Sequence, residues 1–155
     1  MISDCEAQTL ESSGASSSVD PEFRILSDEA MVVSGRIPCW NCHADIEVIC
    51  LYCQTGFVDG EPTLDFSVSN ITAVDEAQRL QLVRWPTFRP IRLRGGGKAG
   101  FANHCPSCAR PQDDFYLHCQ PGSIFFSFQD PAAEELRIHA LKGPIRCSGD
   151  EGFEP

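Results

Sequence analysis

Residues 37–43, IPCWNCH, and 104–110, HCPSCAR, are built alike: each sets two cysteines three positions apart, close to a proline. Between Cys42 and Cys105 lie 62 residues. A structural zinc ion takes four ligands in a tetrahedron, often four thiolates. A C-x-x-C pair on a tight turn points both sulfurs at one ion, and the backbone N–H groups of the turn donate to them. Two such turns complete the tetrahedron. The expected ligands are therefore Cys39, Cys42, Cys105 and Cys108, and the expected cofactor is one structural Zn²⁺. The alternatives are two unrelated cysteine pairs and a redox couple, but a redox C-x-x-C belongs in a strand–CxxC–helix context that is missing here.

The chain carries nine cysteines. The N-terminus, MISDCEAQTLESSGASSSVD, lacks a basic start and an apolar stretch, so the expected compartment is the cytoplasm. Disulfides do not persist there, and paired cysteines favour metal over crosslinks. At 155 residues and 42% hydrophobic content, one folded domain with a modest core is expected. No apolar run approaches the roughly 20 residues of a membrane span.

The two knuckles resemble those of the zinc-ribbon class, which read C-x-x-C followed by a small or polar residue. PCWNCHADIEVI together with NHCPSCARPQDDFYLH is also similar to a set of bacterial zinc-ribbon proteins of unassigned function. The likeness covers roughly residues 37–53 and 101–128. It implies a ribbon with a long insertion between the knuckles, and no activity. Two departures are His43 and Ala109, where glycine commonly follows a knuckle.

The expected fold class is α+β: a small, mostly antiparallel sheet with a zinc-ribbon core and one or two short helices. Residues 1–22, Ser-rich and acidic, are expected to be a disordered tail. Residues 23–145 form the expected single domain, and 146–155 a flexible tail. Within the domain, Ile46, Val48, Cys50 and Tyr52 alternate with Ile49, Leu51 and Cys53, so this strand is apolar on both faces and expected to be covered twice. TLDFSVS at 63–69 reads as a half-buried strand with Leu64, Phe66 and Val68 inward. Thr72 and Asp75 suggest a capping box for a helix from Ala73 to about Arg84, with Val74, Ala77, Leu80 and Val83 along its apolar stripe. TFRPIRLR is extended and GGGKAG is a flexible loop. DDFYLHC and residues 123–129, SIFFSFQ, suggest a hairpin. Asp130 and Pro131 suggest a short helix that ends near Gly143 and carries His139.

Cys50 and Cys53 form a further C-x-x-C, and with Cys119 and a histidine such as His118 they raise the question of a second metal. Strand geometry opposes it, because Cys50 and Cys53 point to opposite faces. His43 and His104 flank the knuckles, but four thiolates already suffice. Cys5 and Cys147 are expected as free thiols in the two tails.

Net charge is −10, unevenly spread. Residues 77–112 contain no acid and hold Arg79, Arg84, Arg89, Arg92, Arg94, Lys98 and Arg110. Four cysteines leave a metal no open position for catalysis, and no H-E-x-x-H, G-x-S-x-G or complete deaminase signature is present, so no enzyme is expected. Two binding roles remain. One is nucleic-acid contact through Arg84, Arg89, Arg92, Arg94 and Lys98, with Trp85, Phe88 and Phe101 stacking bases. The other is an acidic protein–protein adaptor or inhibitor, one form of which mimics nucleic acid; exposed phenylalanines among Phe125, Phe126 and Phe128 would supply its centre, although the favoured reading places them in the core of the second hairpin. The arginines discriminate: exposed and unpaired they favour nucleic acid, paired with acids they favour the adaptor. A membrane partner or small-molecule substrate is not expected.

Overall fold

The computed structural model describes residues 23–92, 99–126 and 135–153. Its organising feature is a closed barrel. Three long strands, β1 (Ile25–Pro38), β2 (Asp45–Val58) and β3 (Glu61–Val74), run as an antiparallel meander. The last strand, β8 (Ile145–Phe153), pairs with β3 on one side and with the start of β1 on the other, which closes the ring. The short β7 (Arg137–Ala140) adds to the same edge of β1 further along, at Met31–Ser34. A second sheet of three antiparallel strands, β4 (Phe88–Arg92), β5 (Ala99–His104) and β6 (Pro111–Gln112), lies against β2 and β3.

The expected α+β class with a zinc-ribbon core is thereby overturned: the described fold is mostly β, 57% strand against 12% helix, and its centre is a four-strand barrel with one extra strand. The physical reason is strand length. Each strand of the meander has 14 residues, and register shifts bend them. At the shift in β1 the Ser27 hydroxyl donates to Thr55 O (2.6 Å) and accepts from Glu29 N (3.0 Å), so two main-chain groups at the break are satisfied by this side chain. Long strands bent in this way curl until their outer edges meet. The β2–β3 turn is Asp59-Gly60, with φ of 52° and 84°, the two positive values that a tight two-residue hairpin turn requires.

Residues 146–153, expected within a flexible tail, belong to β8 instead. Its acids and glycines conceal a short alternation that puts Ile145 and Cys147 into the barrel, both fully buried. Cys147 is thus a core residue rather than an exposed thiol, and burial pushes its thiol well up. Cys5 lies outside the described residues. Arg24 pins the closure: its guanidinium reaches Asp59 in the β2–β3 turn and both Gly149 O and Glu151 on β8.

The one regular helix, α1 (Glu76–Leu82), is shorter than expected, because Ala73 and Val74 remain in β3 to pair with Ser148 and Cys147. Asp75 is the N-cap, accepting from Gln78 N at 3.0 Å. The apolar stripe is also corrected. Leu80 and Val83 are exposed, while Gln78 and Leu82 are buried. Gln78 earns burial through its side-chain amide, which donates to Lys142 O and Pro144 O. Arg137–Ala140, expected in a helix, is the strand β7, where His139 bonds Ser34 Oγ at 3.0 Å; Asp130 and Pro131 lie outside the described residues.

Strand β2 is apolar on both faces, as its pattern implies. Ile49, Leu51 and Cys53 face the barrel core with Phe66, Val68 and Ile145. Ile46, Val48 and Cys50 face a second core with Val33, Leu117, Phe125 and two of the knuckle cysteines. Leu64 is an exception within β3, exposed beside Asp65, whose φ is 51°.

The expected strand DDFYLHC is a wide helical turn, Phe115–Cys119. Asp113 Oδ1 accepts from Phe115 N (2.8 Å) and Asp114 Oδ2 from Asn70 N (2.7 Å), and these bonds favour a turn over an extended chain. Within it, His118 Nδ1 is buried and is the one buried side-chain polar atom without a partner among the described residues. Its ring lies 5.3 Å from Phe125, and burial pulls its pKa down to about 4. His118→Phe is expected to stabilise the fold by about 1–2 kcal/mol at neutral pH, because it removes an unpaired acceptor. The gain grows in acid. Below the ordinary value of 6.5 the unfolded chain takes up the proton while the folded one resists it until about 4. The wild-type chain therefore loses up to about 3 kcal/mol more than the variant across that window. Denaturant midpoints of both proteins at neutral and mildly acidic pH check this. A difference that stays constant with pH would refute it.

Candidate metal centre

Each knuckle is the tip of a hairpin, and the two tips have the same backbone. In the β1–β2 tip, Cys39 N donates to Ala44 O (2.8 Å) and His43 N to Cys39 O (2.9 Å). In the β5–β6 tip, Cys105 N donates to Arg110 O (2.9 Å) and Ala109 N to Cys105 O (2.8 Å). His43 and Ala109 hold equivalent places with φ of 67° and 66°. These are the two positions where the sequence departs from glycine, and both take up the glycine conformation nonetheless. Ala109→Gly is expected to raise stability by about 1 kcal/mol, since an L side chain is strained there. An unchanged midpoint in chemical denaturation would mean the turn carries no strain.

The tips meet so that the sulfurs of Cys39, Cys42, Cys105 and Cys108 all lie within 4.8 Å of one another. Cys39 Sγ is 3.7 Å from Cys108 Sγ, and Cys42 Sγ is 3.6 Å from Cys105 Sγ. A tetrahedron with metal–sulfur bonds of about 2.3 Å has edges of about 3.8 Å. A disulfide needs about 2.05 Å. The spacing suits four ligands around one ion. The first cysteine of each knuckle is buried, Cys108 is half-buried and Cys42 is exposed.

The turns supply the N–H donors that thiolates need. Asn41 N donates to Cys39 Sγ (3.3 Å), and Ser107 N and Cys108 N donate to Cys105 Sγ (3.3 and 3.4 Å). Burial raises Cys39, but the N–H groups of Cys42 and Asn41 and the Gln112 amide outweigh it and bring the thiol down to about 6. Cys105 is lowered in the same way, against burial, by the N–H groups of Cys108 and Ser107. At Cys42 the Ala44 N–H pulls down, yet burial and the three neighbouring sulfurs push the thiol up to about 11. Such crowding is what a central cation relieves.

Gln112 belongs to no motif in the sequence. It is buried, and its Nε2 donates to Cys39 Sγ at 3.4 Å while its Oε1 accepts from Trp40 N at 3.5 Å. No spacing signal links a glutamine to a cysteine 73 positions earlier. His43 is exposed. His104 is buried, with Nδ1 2.9 Å from Ala102 O and 3.2 Å from Thr87 O, so this nitrogen carries the proton and faces carbonyls. Neither histidine joins the sulfur cluster. Cys50 and Cys53 are separated into the two cores, and Cys119 is exposed.

The basic segment is partly visible. Arg79, Arg84, Arg89 and Arg110 are exposed, and none has an acidic partner among the described residues, whose ion pairs involve Arg24 and Arg36. For Arg92 only the backbone in β4 is described, and Arg94 and Lys98 lie outside the described residues. The aromatic part of that expectation is corrected. Trp85 and Phe88 are buried in the barrel core, and Phe101 stacks on Phe88 at 5.9 Å. Phe125 is buried and Phe126 half-buried, whereas Phe128 lies outside the described residues.

No family model, curated protein or solved structure matches the chain. Fold and site together define a class: a small antiparallel barrel carrying a four-cysteine cluster that can hold a metal ion.

Proposed function

We propose that the chain is a non-enzymatic binding module in which one structural Zn²⁺ clamps the small β4–β6 sheet to the barrel. The observation that carries this is the sulfur tetrahedron, built from two matching hairpin tips. Four thiolates saturate zinc, which suits a structural rather than a catalytic ion. The likeness to the zinc-ribbon class rests on the two knuckles and the residues flanking them, roughly 37–53 and 101–128.

The partner we favour is nucleic acid, held by its phosphates through the basic segment. Exposed Arg79, Arg84 and Arg89 without acidic partners support this over internal charge balance. Arg84 lies over the Trp85 ring at 4.8 Å, which orients its guanidinium. With Trp85 and Phe88 buried, contact is to the backbone, without base stacking from these rings. Titration of zinc-loaded protein with fluorescent single- and double-stranded oligonucleotides at two salt concentrations tests this. A variant with Arg84, Arg89 and Arg92 changed to serine is expected to bind more weakly and to lower the salt slope by about 2 on single strands. Absence of binding at low salt would remove nucleic acid. The acidic adaptor would then stand, a reading favoured by the exposed aromatics Trp40, Phe115 and Tyr116.

A further inference from the structure

We propose that the groove between the first knuckle and the Phe115–Cys119 turn is a binding site for a methylated ammonium group. The groove holds about 590 Å³, and its lining includes the aromatic residues Trp40, Phe101 and Tyr116, the apolar Ile91 and the acidic Asp113 and Asp114. Trp40 and Tyr116 are 58% and 60% exposed, and large exposed rings lining one groove mark an interaction site.

The walls are held in place. Trp40 Nε1 donates to Pro111 O at 2.9 Å, and its backbone N meets Gln112, the residue that also donates to the Cys39 sulfur. The metal knuckle therefore sets one face of the groove. Asp114 is fixed by Asn70 N and Asp113 by Phe115 N. Neither carboxylate has a basic partner within ion-pair distance among the described residues. Arg110 lies on the edge of this arrangement, its guanidinium 6.0 Å from the Trp40 centroid, so that ring already attracts one cation.

The chemistry selects the ligand. Two carboxylates repel anions and are wasted on a neutral apolar molecule. Aromatic faces beside carboxylates favour a soft, weakly hydrated cation, whose methyl groups pack on the rings while its charge meets their quadrupoles. The inference does not depend on nucleic-acid binding by the arginines, which concerns other residues. The ammonium can be free, as in choline, or carried on a trimethyllysine side chain, and the two sources share the same contacts.

Calorimetry of the zinc-loaded full chain against tetramethylammonium, choline, the neutral isostere 3,3-dimethylbutanol and a trimethyllysine peptide tests the proposal. Saturable binding of choline or of the peptide is expected, with the isostere weaker by about tenfold. Tyr116→Ala and Asp113→Asn are expected to weaken the cation by about tenfold each while zinc content and melting temperature stay unchanged. Tighter binding of the peptide than of choline assigns the site to a protein partner, and equal binding to a small molecule. Equal affinity for cation and isostere, or no saturable binding of either cation source, would overturn the proposal. Trp40→Leu provides a second variant on the opposite wall, and it must act in the same direction.

Discussion

Replacing Cys105 with serine is expected to abolish zinc binding and to leave the chain largely unfolded at room temperature. Cys105 is 1% exposed, its sulfur takes two backbone N–H groups, and it sits 3.6 Å from Cys42 Sγ across the junction of the tips. Structural zinc in cysteine sites binds with about 10–16 kcal/mol. A domain of this size is stable by only about 5–15 kcal/mol in total, so loss of the ion removes most of the margin. The second core shows why little else compensates. Cys39 and Cys105 are themselves members of it, beside Val33, Ile46, Val48, Leu117 and Phe125. A strong chelator should reproduce the effect on the wild-type chain. Lowering the pH should too, because all four sulfurs must be deprotonated to bind. The checks are metal content by mass spectrometry of the native protein and melting with and without chelator. A protein that melts at the same temperature with and without metal would dismiss a structural role for the ion. Cys42→Ser, at the exposed corner, is expected to weaken zinc without the same collapse of packing.

Asn103→Ala is expected to cost about 2–5 kcal/mol, the largest effect away from the cysteines. Strand β2 pairs with β3 only from Leu51 onward, which leaves the other edge at Ile49 without a strand. The Asn103 side chain takes that place: its Oδ1 accepts from Ile49 N (2.8 Å) and its Nδ2 donates to Ile49 O (3.0 Å). Both residues are buried, so truncation leaves two main-chain groups without partners, each costing about 1–3 kcal/mol. Asn103→Asp tests the geometry more sharply. It keeps the acceptor, loses the donor and sets a carboxylate against Ile49 O, and it should destabilise at least as much as alanine. Equilibrium unfolding of zinc-loaded proteins measures both. A loss below about 0.5 kcal/mol for either would mean that water satisfies Ile49.

These two effects mark how far the sequence reaches. The four cysteines are legible because a C-x-x-C spacing places both sulfurs on one turn, whatever the rest of the chain does. The double apolar face of β2 is legible because its side chains alternate with period two. Asn103 and Gln112 are not legible, since each acts on a partner that is distant in the chain and carries no spacing rule. Local signals also misled in specific places. Thr72 resembles a helix cap, but pairing of Ala73 and Val74 with β8 outweighs it. Leu80 and Val83 look like an inward stripe, but the glutamine bonds to the 142–144 loop rotate Gln78 inward instead.

The sequence by itself determined which four cysteines pair as knuckles, the strand character of residues 44–53 and the concentration of basic residues in 77–112, because each depends on neighbours a few positions apart. Only the tertiary structure decided that the sheet closes into a barrel through an acidic, glycine-bearing C-terminal strand. It alone placed Trp85 and Phe88 in the core and Trp40 and Tyr116 at the surface. The physical reason is that closure and burial depend on pairings between residues as far apart as Ile25 and Cys147, which no local pattern records.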